Sequence, residues 1–201
     1  ELAYYVPTAG GATGANTELT WYDRTAKSLG VAGKSGEYAN PELSPDGKFV
    51  AFGRGSPGDI WVLDVAKGLT SRLTSDPAAD SYPKWSPDGR TIAFTSEREG
   101  TGNLYTRAVG AVGADKLLFK DDTAKTLTDW SCDGKYLAYV ANGDVWALPL
   151  SGESSAGKPV RVTETAFTEY QARISPDSRW IAYDSNETGR REVYIQSFPQ
   201  P

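Results

Sequence analysis

A five-residue pattern that recurs at nearly constant intervals limits the folds open to this chain more than any other feature. The pattern is a basic residue, any residue, an aliphatic residue, alanine and an aromatic residue. It occurs at Lys48–Phe52, Arg90–Phe94, Lys135–Tyr139 and Arg179–Tyr183, and a shorter copy lies at Leu2–Tyr4. The alanines of successive copies are separated by 48, 42, 45 and 44 residues. This spacing is close to the period of about 40–45 residues that is typical of β-propeller blades.

A turn sequence directly precedes the four complete copies of the pattern. It reads serine, proline, aspartate and glycine, with Cys132 in place of proline in the third turn and Ser178 in place of glycine in the fourth. Proline presets φ, aspartate bonds back to the backbone, and glycine accepts a positive φ at the end of the turn. We therefore expect tight hairpins whose aspartates serve the turn, and not a metal ion or a reaction. These aspartates are Asp46, Asp88, Asp133 and Asp177.

Further strand patterns complete each repeat unit. A second alternating segment follows the alanine strand, as at Asp59–Leu63, and a short final segment follows in most units, as at Ser71–Thr74. Helical periodicity does not persist anywhere, so the predicted fold is all-β: a β-propeller of four-stranded antiparallel blades. The first and last units each lack one strand pattern, so we expect a single domain over residues 1–201 that forms part of a six-bladed ring. The predicted units are 1–36, 37–78, 79–123, 124–166 and 167–201.

The composition excludes several kinds of site. The chain has no histidine and one cysteine, Cys132, which rules out a Ser-His-Asp triad, a histidine-ligated metal site and an internal disulfide within it. It also lacks the Gly-x-Ser-x-Gly nucleophile elbow. These absences favour a protein that is not an enzyme. No cofactor is expected, although an all-carboxylate Ca²⁺ site stays open.

Charge and hydropathy restrict the partners. The net charge is −5, which argues against nucleic acid, because phosphate binding needs a basic face. No apolar run approaches the roughly 20 residues needed to span a membrane as a helix, so membrane insertion is not expected. The unpaired edges of the terminal blades are expected to permit self-association, since an open sheet edge can pair with another chain.

The turn and the strand pattern together resemble the repeat of the TolB-like (WD40-like) β-propeller family, most clearly at Trp85–Gly89 followed by Arg90–Phe94. The order of the units is most similar to propeller domains appended to bacterial Ser/Thr protein kinases. The resemblance implies a bacterial, periplasmic or otherwise extracytoplasmic protein with a protein or peptide partner. It is specific for the fold, whereas one fold supports many functions.

The leading hypothesis is a non-catalytic module that binds a protein or peptide, as an extracytoplasmic sensor or scaffold. One alternative is the substrate-filtering propeller of a prolyl oligopeptidase-type peptidase. A second is a stand-alone carbohydrate hydrolase with paired carboxylates, either Asp121 and Asp122 with Asp129 or Glu97 with Glu169.

Loops on one face of a propeller are the expected place for a binding rim of charged and aromatic side chains. The candidate binding residues are Asp80, Tyr82, Glu97, Arg98, Asp129, Glu169, Tyr170 and Arg190.

Overall fold

The computed structural model describes residues 2–7, 17–110, 113–151 and 156–199, with side chains described from Thr17 onward. The chain divides into two compact units, Glu1–Pro83 and Lys84–Pro201. The described ranges contain eighteen strands and no helix. The strands form five sheets in which neighbours in sequence are neighbours in space, and we number these sheets blade 1 to blade 5 in chain order.

Blades 1 and 2 lie in the first unit. Blade 1 has the strand order β1-β2-β3 and blade 2 the order β4-β5-β6-β7. Their strands are β1 (Leu2–Pro7), β2 (Thr17–Tyr22), β3 (Ser28–Gly36), β4 (Ala39–Leu43), β5 (Phe49–Arg54), β6 (Asp59–Asp64) and β7 (Leu69–Arg72).

Blades 3 to 5 make up the rest of the chain. Their orders are β8-β9-β10-β11, β12-β13-β14-β15 and β16-β17-β18. The strands of blade 3 are β8 (Asp80–Trp85), β9 (Thr91–Ser96), β10 (Asn103–Ala108) and β11 (Lys116–Phe119). Those of blades 4 and 5 are β12 (Thr126–Trp130), β13 (Tyr136–Ala141), β14 (Asp144–Pro149), β15 (Val160–Arg161), β16 (Glu169–Ile174), β17 (Trp180–Ser185) and β18 (Glu192–Ser197).

The predicted fold class is confirmed. The alanine pattern lies on the second strand of each complete blade, where Ala51, Ala93 and Ala138 are fully buried. Small side chains there leave room for the neighbouring blade, because facing sheets pack about 10 Å apart.

Each compact unit has apolar clusters that join consecutive blades. In the first unit, Leu19 and Ala32 of blade 1 pack with Val50, Phe52 and Leu63 of blade 2. In the second unit, a cluster of buried residues joins blade 4 to blade 5. It contains Ala138, Val140, Val145, Ala147, Val162, Ala172, Ile174, Ile181 and Phe198.

The innermost strands carry a repeated backbone distortion. Asn40, Tyr82 and Gln171 occupy the same place in β4, β8 and β16, and their φ angles are 49°, 54° and 50°. A left-handed conformation costs a non-glycine residue about 1–3 kcal/mol, so surrounding structure must hold it. The distortion shifts the register of β4 and β16 against their neighbours.

Candidate functional site

The serine–aspartate turns are closed hydrogen-bond networks. The Ser44 hydroxyl donates to Asp46 Oδ1 at 2.7 Å and accepts the backbone N–H of Phe49 at 2.9 Å. Asp46 Oδ1 also accepts the backbone N–H of Lys48 at 3.1 Å. The same serine-to-aspartate bond measures 2.6, 2.7 and 2.6 Å in the other three turns.

These bonds stabilise the ionised aspartates. The Ser44 hydroxyl bond lowers the pKa of Asp46 to about 2, and the Ser175 hydroxyl bond does the same for Asp177. Partial burial acts to raise the pKa of Asp133, but the hydrogen bonds to that carboxylate prevail and its pKa is lowered. The geometry of each aspartate is therefore set by its own turn.

The starts of β8, β12 and β16 are buried junctions with the preceding blade. The backbone N–H of Asp80 donates to Gly58 O at 2.7 Å, and that of Glu169 donates to Gly143 O at 2.7 Å. At the equivalent junction Lys125 N–H donates to Gly102 O at 3.0 Å. The side chains of these residues are buried rather than exposed on a rim.

At the junction that begins β16, hydrogen bonds hold the acidic side chain of Glu169 in a buried position. Its carboxylate accepts hydrogen bonds from the hydroxyls of Thr163 at 2.9 Å, Thr165 at 2.7 Å and Ser185 at 3.2 Å. Since the residue is fully buried, the carboxylate connects three segments of the protein and does not face solvent.

Lys125 is the basic counterpart of Glu169. Its ammonium lies 2.6 Å from Asp121 Oδ1, donates to Thr123 O at 2.6 Å and lies 5.4 Å from the centre of the Phe119 ring. Asp121, which the hydrolase hypothesis assigned to chemistry, is the ion-pair partner of a buried lysine.

Asp129 joins blade 4 to blade 5. Its Oδ2 accepts the backbone N–H of Ile174 at 2.6 Å, and its Oδ1 accepts from Arg173 Nη1 at 3.3 Å. Both oxygens of the Asp129 carboxylate are hydrogen-bonded to residues of β16, so the side chain links strands β12 and β16. This geometry is that of a structural contact rather than of a general base that faces a substrate.

Arg98 is held in a similar way within blade 3. Its guanidinium donates to Asp115 Oδ2 at 2.7 Å and to Ser96 Oγ at 2.7 Å, and it lies 4.5 Å from the centre of the Tyr105 ring. Arg107 bonds the other oxygen of Asp115 at 2.9 Å. This cluster fixes Arg98 against the sheet.

The remaining predicted rim residues reach solvent. Glu97, Tyr82, Tyr170 and Arg190 are exposed. Arg190 pairs with Glu192 at 2.8 Å. These side chains belong to separate local networks, so the described contacts do not assemble them into one site.

A pocket of about 790 Å³ lies wholly within the first unit, between blade 1, blade 2 and the start of β8. Its polar lining includes Glu37, Asn40, Arg54, Ser56, Asp80 and Ser81. Of the candidate residues taken from the sequence, Asp80 alone is among the residues described as lining it.

The pocket wall is mixed in charge. The Arg54 guanidinium stacks 5.3 Å from the centre of the Trp61 ring, and the Glu37 carboxylate accepts the backbone N–H of Gly55 at 3.1 Å. Burial raises the pKa of Tyr38, which keeps its hydroxyl protonated and donating to Lys34 O at 2.6 Å. Arg54, with the acidic residues Glu37 and Asp80, therefore lines one cavity.

Sequence reasoning missed most of this pocket. The available signal was a departure from the repeat: the position of Arg54 is Ser96, Ala141 and Ser185 in the following units. Residues that repeat serve the blade, so a charged residue that does not repeat indicates another role.

Metal binding and membrane insertion find no support in the part of the chain that the structure describes. No group of three or more Cys, Asp or Glu residues there could hold a metal ion. Over the same ranges, no helix has the length and hydropathy of a membrane span.

The sequence of this chain matches a known protein family. The model of the TolB beta propeller domain matches residues 21–199. The chain belongs to the TolB β-propeller family. Two curated relatives are the Tricorn protease homolog 1 of Streptomyces coelicolor, 30% identical over 57% of this chain, and the uncharacterized peptidase YuxL of Bacillus subtilis, 32% identical over 86%. The chain spans only 11% and 26% of the lengths of these two relatives.

A solved structure shows the same TolB-type fold. The crystal structure of TolB from Acinetobacter baumannii superposes with a TM-score of 0.75 at 24% identity. The match covers 90% of this chain and 46% of the TolB chain. The turns and junctions repeat along this TolB-type chain, whereas Glu37 and Arg54 depart from its repeat.

Proposed function

We propose that this TolB-type propeller is a non-catalytic binding module that holds a peptide, or a segment of a partner protein, in the pocket of the first unit. The observation that carries the proposal is the pocket itself. Its volume of about 790 Å³ falls within the range of ligand sites, about 300–1,000 Å³.

The chemistry of the lining favours a peptide. Arg54 offers a planar donor to a carboxylate or a carbonyl, while Glu37 and Asp80 supply negative charge close by. Asn40 adds an amide side chain to the polar lining of the pocket. An extended peptide presents both donors and acceptors, and it can use all of these groups.

A peptide selection tests the proposal. A phage library of linear twelve-residue peptides is selected on the chain, and enriched peptides are titrated by calorimetry. We expect Arg54→Ala to weaken binding about tenfold or more, as for an arginine at a binding hot spot. Ser81→Trp, which fills the pocket, is expected to abolish binding. The matched control is Arg24→Ala, an exposed arginine of the same unit outside the pocket lining.

Two results would reject the pocket as a peptide site. One is a selection that enriches no peptide. The other is equal affinity in the parent, Arg54→Ala and Ser81→Trp, with melting temperatures showing that all three are folded.

A second candidate is a substrate-filtering propeller of a peptidase. The observation that favours it is that two relatives carry protease or peptidase in their names and are far longer than this chain. The size of the native polypeptide, measured with an antibody to this chain, distinguishes the binding module from the peptidase propeller. A much larger product with peptidase activity supports the filter, and a product of about this length without activity rejects it.

The carbohydrate hydrolase receives less support from the geometry. Asp121, Asp129 and Glu169 are each engaged by groups of the fold itself. A screen on chromogenic glycosides tests it, and activity that disappears in Asp129→Asn would revive the hypothesis.

We also propose an extracytoplasmic location, with the propeller as a sensor or scaffold that could be appended to a larger protein such as a Ser/Thr kinase. Family membership supports this proposal. Fractionation of the producing cells tests it, and recovery of the protein with cytosolic markers alone would contradict it.

A further inference from the structure

Arg54 differs from most arginines of this chain, because no carboxylate among the described residues pairs with it. Nine of the eleven arginines lie within 4.0 Å of an aspartate or glutamate oxygen. Within the described ranges, the two that have no such partner are Arg24, which is exposed, and Arg54, which is partly buried in the pocket wall. Since withdrawing an unpaired charge from water is unfavourable, the position of Arg54 indicates that its partner arrives with a ligand.

The carboxylate best placed to neutralise Arg54 is bound elsewhere. Asp59 lies directly opposite Arg54 in the pairing of β5 with β6, where opposite side chains are close enough to interact. Its Oδ2 instead lies 2.7 Å from Arg72 Nη2, and its Oδ1 is buried without a hydrogen-bond donor among the described residues. The fold therefore leaves the positive charge of Arg54 available to a ligand.

Two neighbours set the position of the Arg54 guanidinium. It lies over the ring of Trp61, and a stacked guanidinium still offers its N–H groups in its own plane. On one side, Arg54 Nη2 lies 3.1 Å from the point that a Cβ atom at residue 36 would occupy, so Gly36 permits the close approach. A planar donor positioned in this way matches the two oxygens of a carboxylate.

The acids in the pocket restrict the charge of the ligand. Glu37 is exposed and accepts the backbone N–H of Gly55, whereas Asp80 is 1% exposed and offers almost no surface to a ligand. Two negative charges in the same lining disfavour a doubly charged group such as phosphate, because repulsion between like charges is stronger in a partly desolvated site. A carboxylate has a single negative charge, and it suits this lining better.

We infer that a peptide bound in this pocket is anchored by a carboxylate that pairs with Arg54. The inference rests on the proposed function, and it adds the chemical class of the group that the pocket selects. An aspartate or glutamate side chain and the C-terminus of a peptide each supply this group, with the same pair of oxygens. Arg54 therefore makes the pocket selective for peptides that carry a carboxylate.

Four pools of N-acetylated random octapeptides test the inference, by capture on the immobilised intact chain and quantification by mass spectrometry. The pools combine a C-terminal acid or amide with the presence or absence of aspartate and glutamate, so one pool carries no carboxylate. We expect the parent to retain at least one carboxylate-containing pool about tenfold more than the pool without carboxylates, as for a charged contact at a binding hot spot. The preferred pools identify the side chain or the C-terminus as the source.

The variant Arg54→Gln should remove this preference, because it deletes the charge and keeps a polar side chain of similar length. The matched control is Arg24→Gln, which removes the same charge from an exposed position of the first unit outside the pocket lining. This control is expected to retain the four pools as the parent does. Melting temperatures establish that each variant is folded.

Failure of this inference is distinguishable from failure of the proposed function. Equal retention of all four pools by the parent, with lower retention by Ser81→Trp, would overturn the carboxylate anchor and leave the peptide pocket in place. A carboxylate preference that is unchanged in folded Arg54→Gln would also overturn it. Retention of no pool by the parent beyond the level of Ser81→Trp would reject both the anchor and the peptide pocket.

Discussion

Asp129 of blade 4 accepts the backbone N–H of Ile174 in blade 5 at 2.6 Å. A charged acceptor on a backbone donor forms one of the stronger hydrogen bonds in a protein, and here it joins two blades at their innermost strands. The bond is short, and Arg173 adds a further donor to the same carboxylate.

Removing this brace should destabilise the second unit. We expect Asp129→Ala to lower the free energy of unfolding by about 1.5–3 kcal/mol, because the Ile174 N–H loses a charged partner. Asp129→Asn retains a carbonyl acceptor and should lose less. Urea unfolding followed by tryptophan fluorescence measures both, and a change in Asp129→Ala within about 0.5 kcal/mol of the parent would show that the bond contributes little.

Replacing the buried Glu169 should destabilise the protein more than replacing Asp129. Glu169→Ala leaves three hydroxyl donors without their acceptor and opens a cavity, so we expect a loss of about 3 kcal/mol or more. Glu169→Gln keeps the shape and one acceptor and should cost less. The control is Glu164→Ala, whose side chain is 85% exposed. Thermal melting of the three variants checks this order, and a Glu169→Ala protein as stable as Glu164→Ala would contradict it.

The repeat made the strands of this fold predictable. The alanine pattern and the turn before it were enough to place β5, β9, β13 and β17, which begin at the second residue of each pattern. These features depend on local turn chemistry and on alternation along a strand, and one sequence contains both kinds of information.

The candidate site was less predictable, for a physical reason. Asp80, Glu169 and Arg98 look like surface charges in the sequence, but each turns inward. The partners that allow this burial of Glu169 come from two segments, Thr163 and Thr165 from the loop before β16 and Ser185 from β17. A pattern read along the chain gives the side of a strand on which a residue lies, but it does not give the donors that other segments bring to it.

The four turns should make the protein sensitive to acid. Asp46 and Asp177 have pKa values of about 2 in the folded protein against 3.8 when unperturbed. A lowered folded pKa means that the contribution of the ionised form to stability is fully present above about pH 4 and is lost as the pH falls toward 2. Urea midpoints measured between pH 5 and pH 2 should therefore fall. The slope should be smaller in the double variant Asp46→Asn, Asp177→Asn, and an equal slope would show that other groups control acid unfolding.

Ser178 should be replaceable with a gain in stability. It occupies the glycine position of the blade 5 turn with a φ of 55°, while Gly47 holds 71° in the matching turn of blade 2. The Ser178 hydroxyl is also buried without a hydrogen-bond partner among the described residues. Ser178→Gly relieves both penalties, and even after the extra chain entropy of glycine in the unfolded state we expect a gain of about 0.5–1 kcal/mol. The reciprocal variant Gly47→Ser should lose a similar amount. Calorimetric melting of the pair measures both signs, and destabilisation by Ser178→Gly would mean that the serine makes a favourable contact that outweighs its backbone strain.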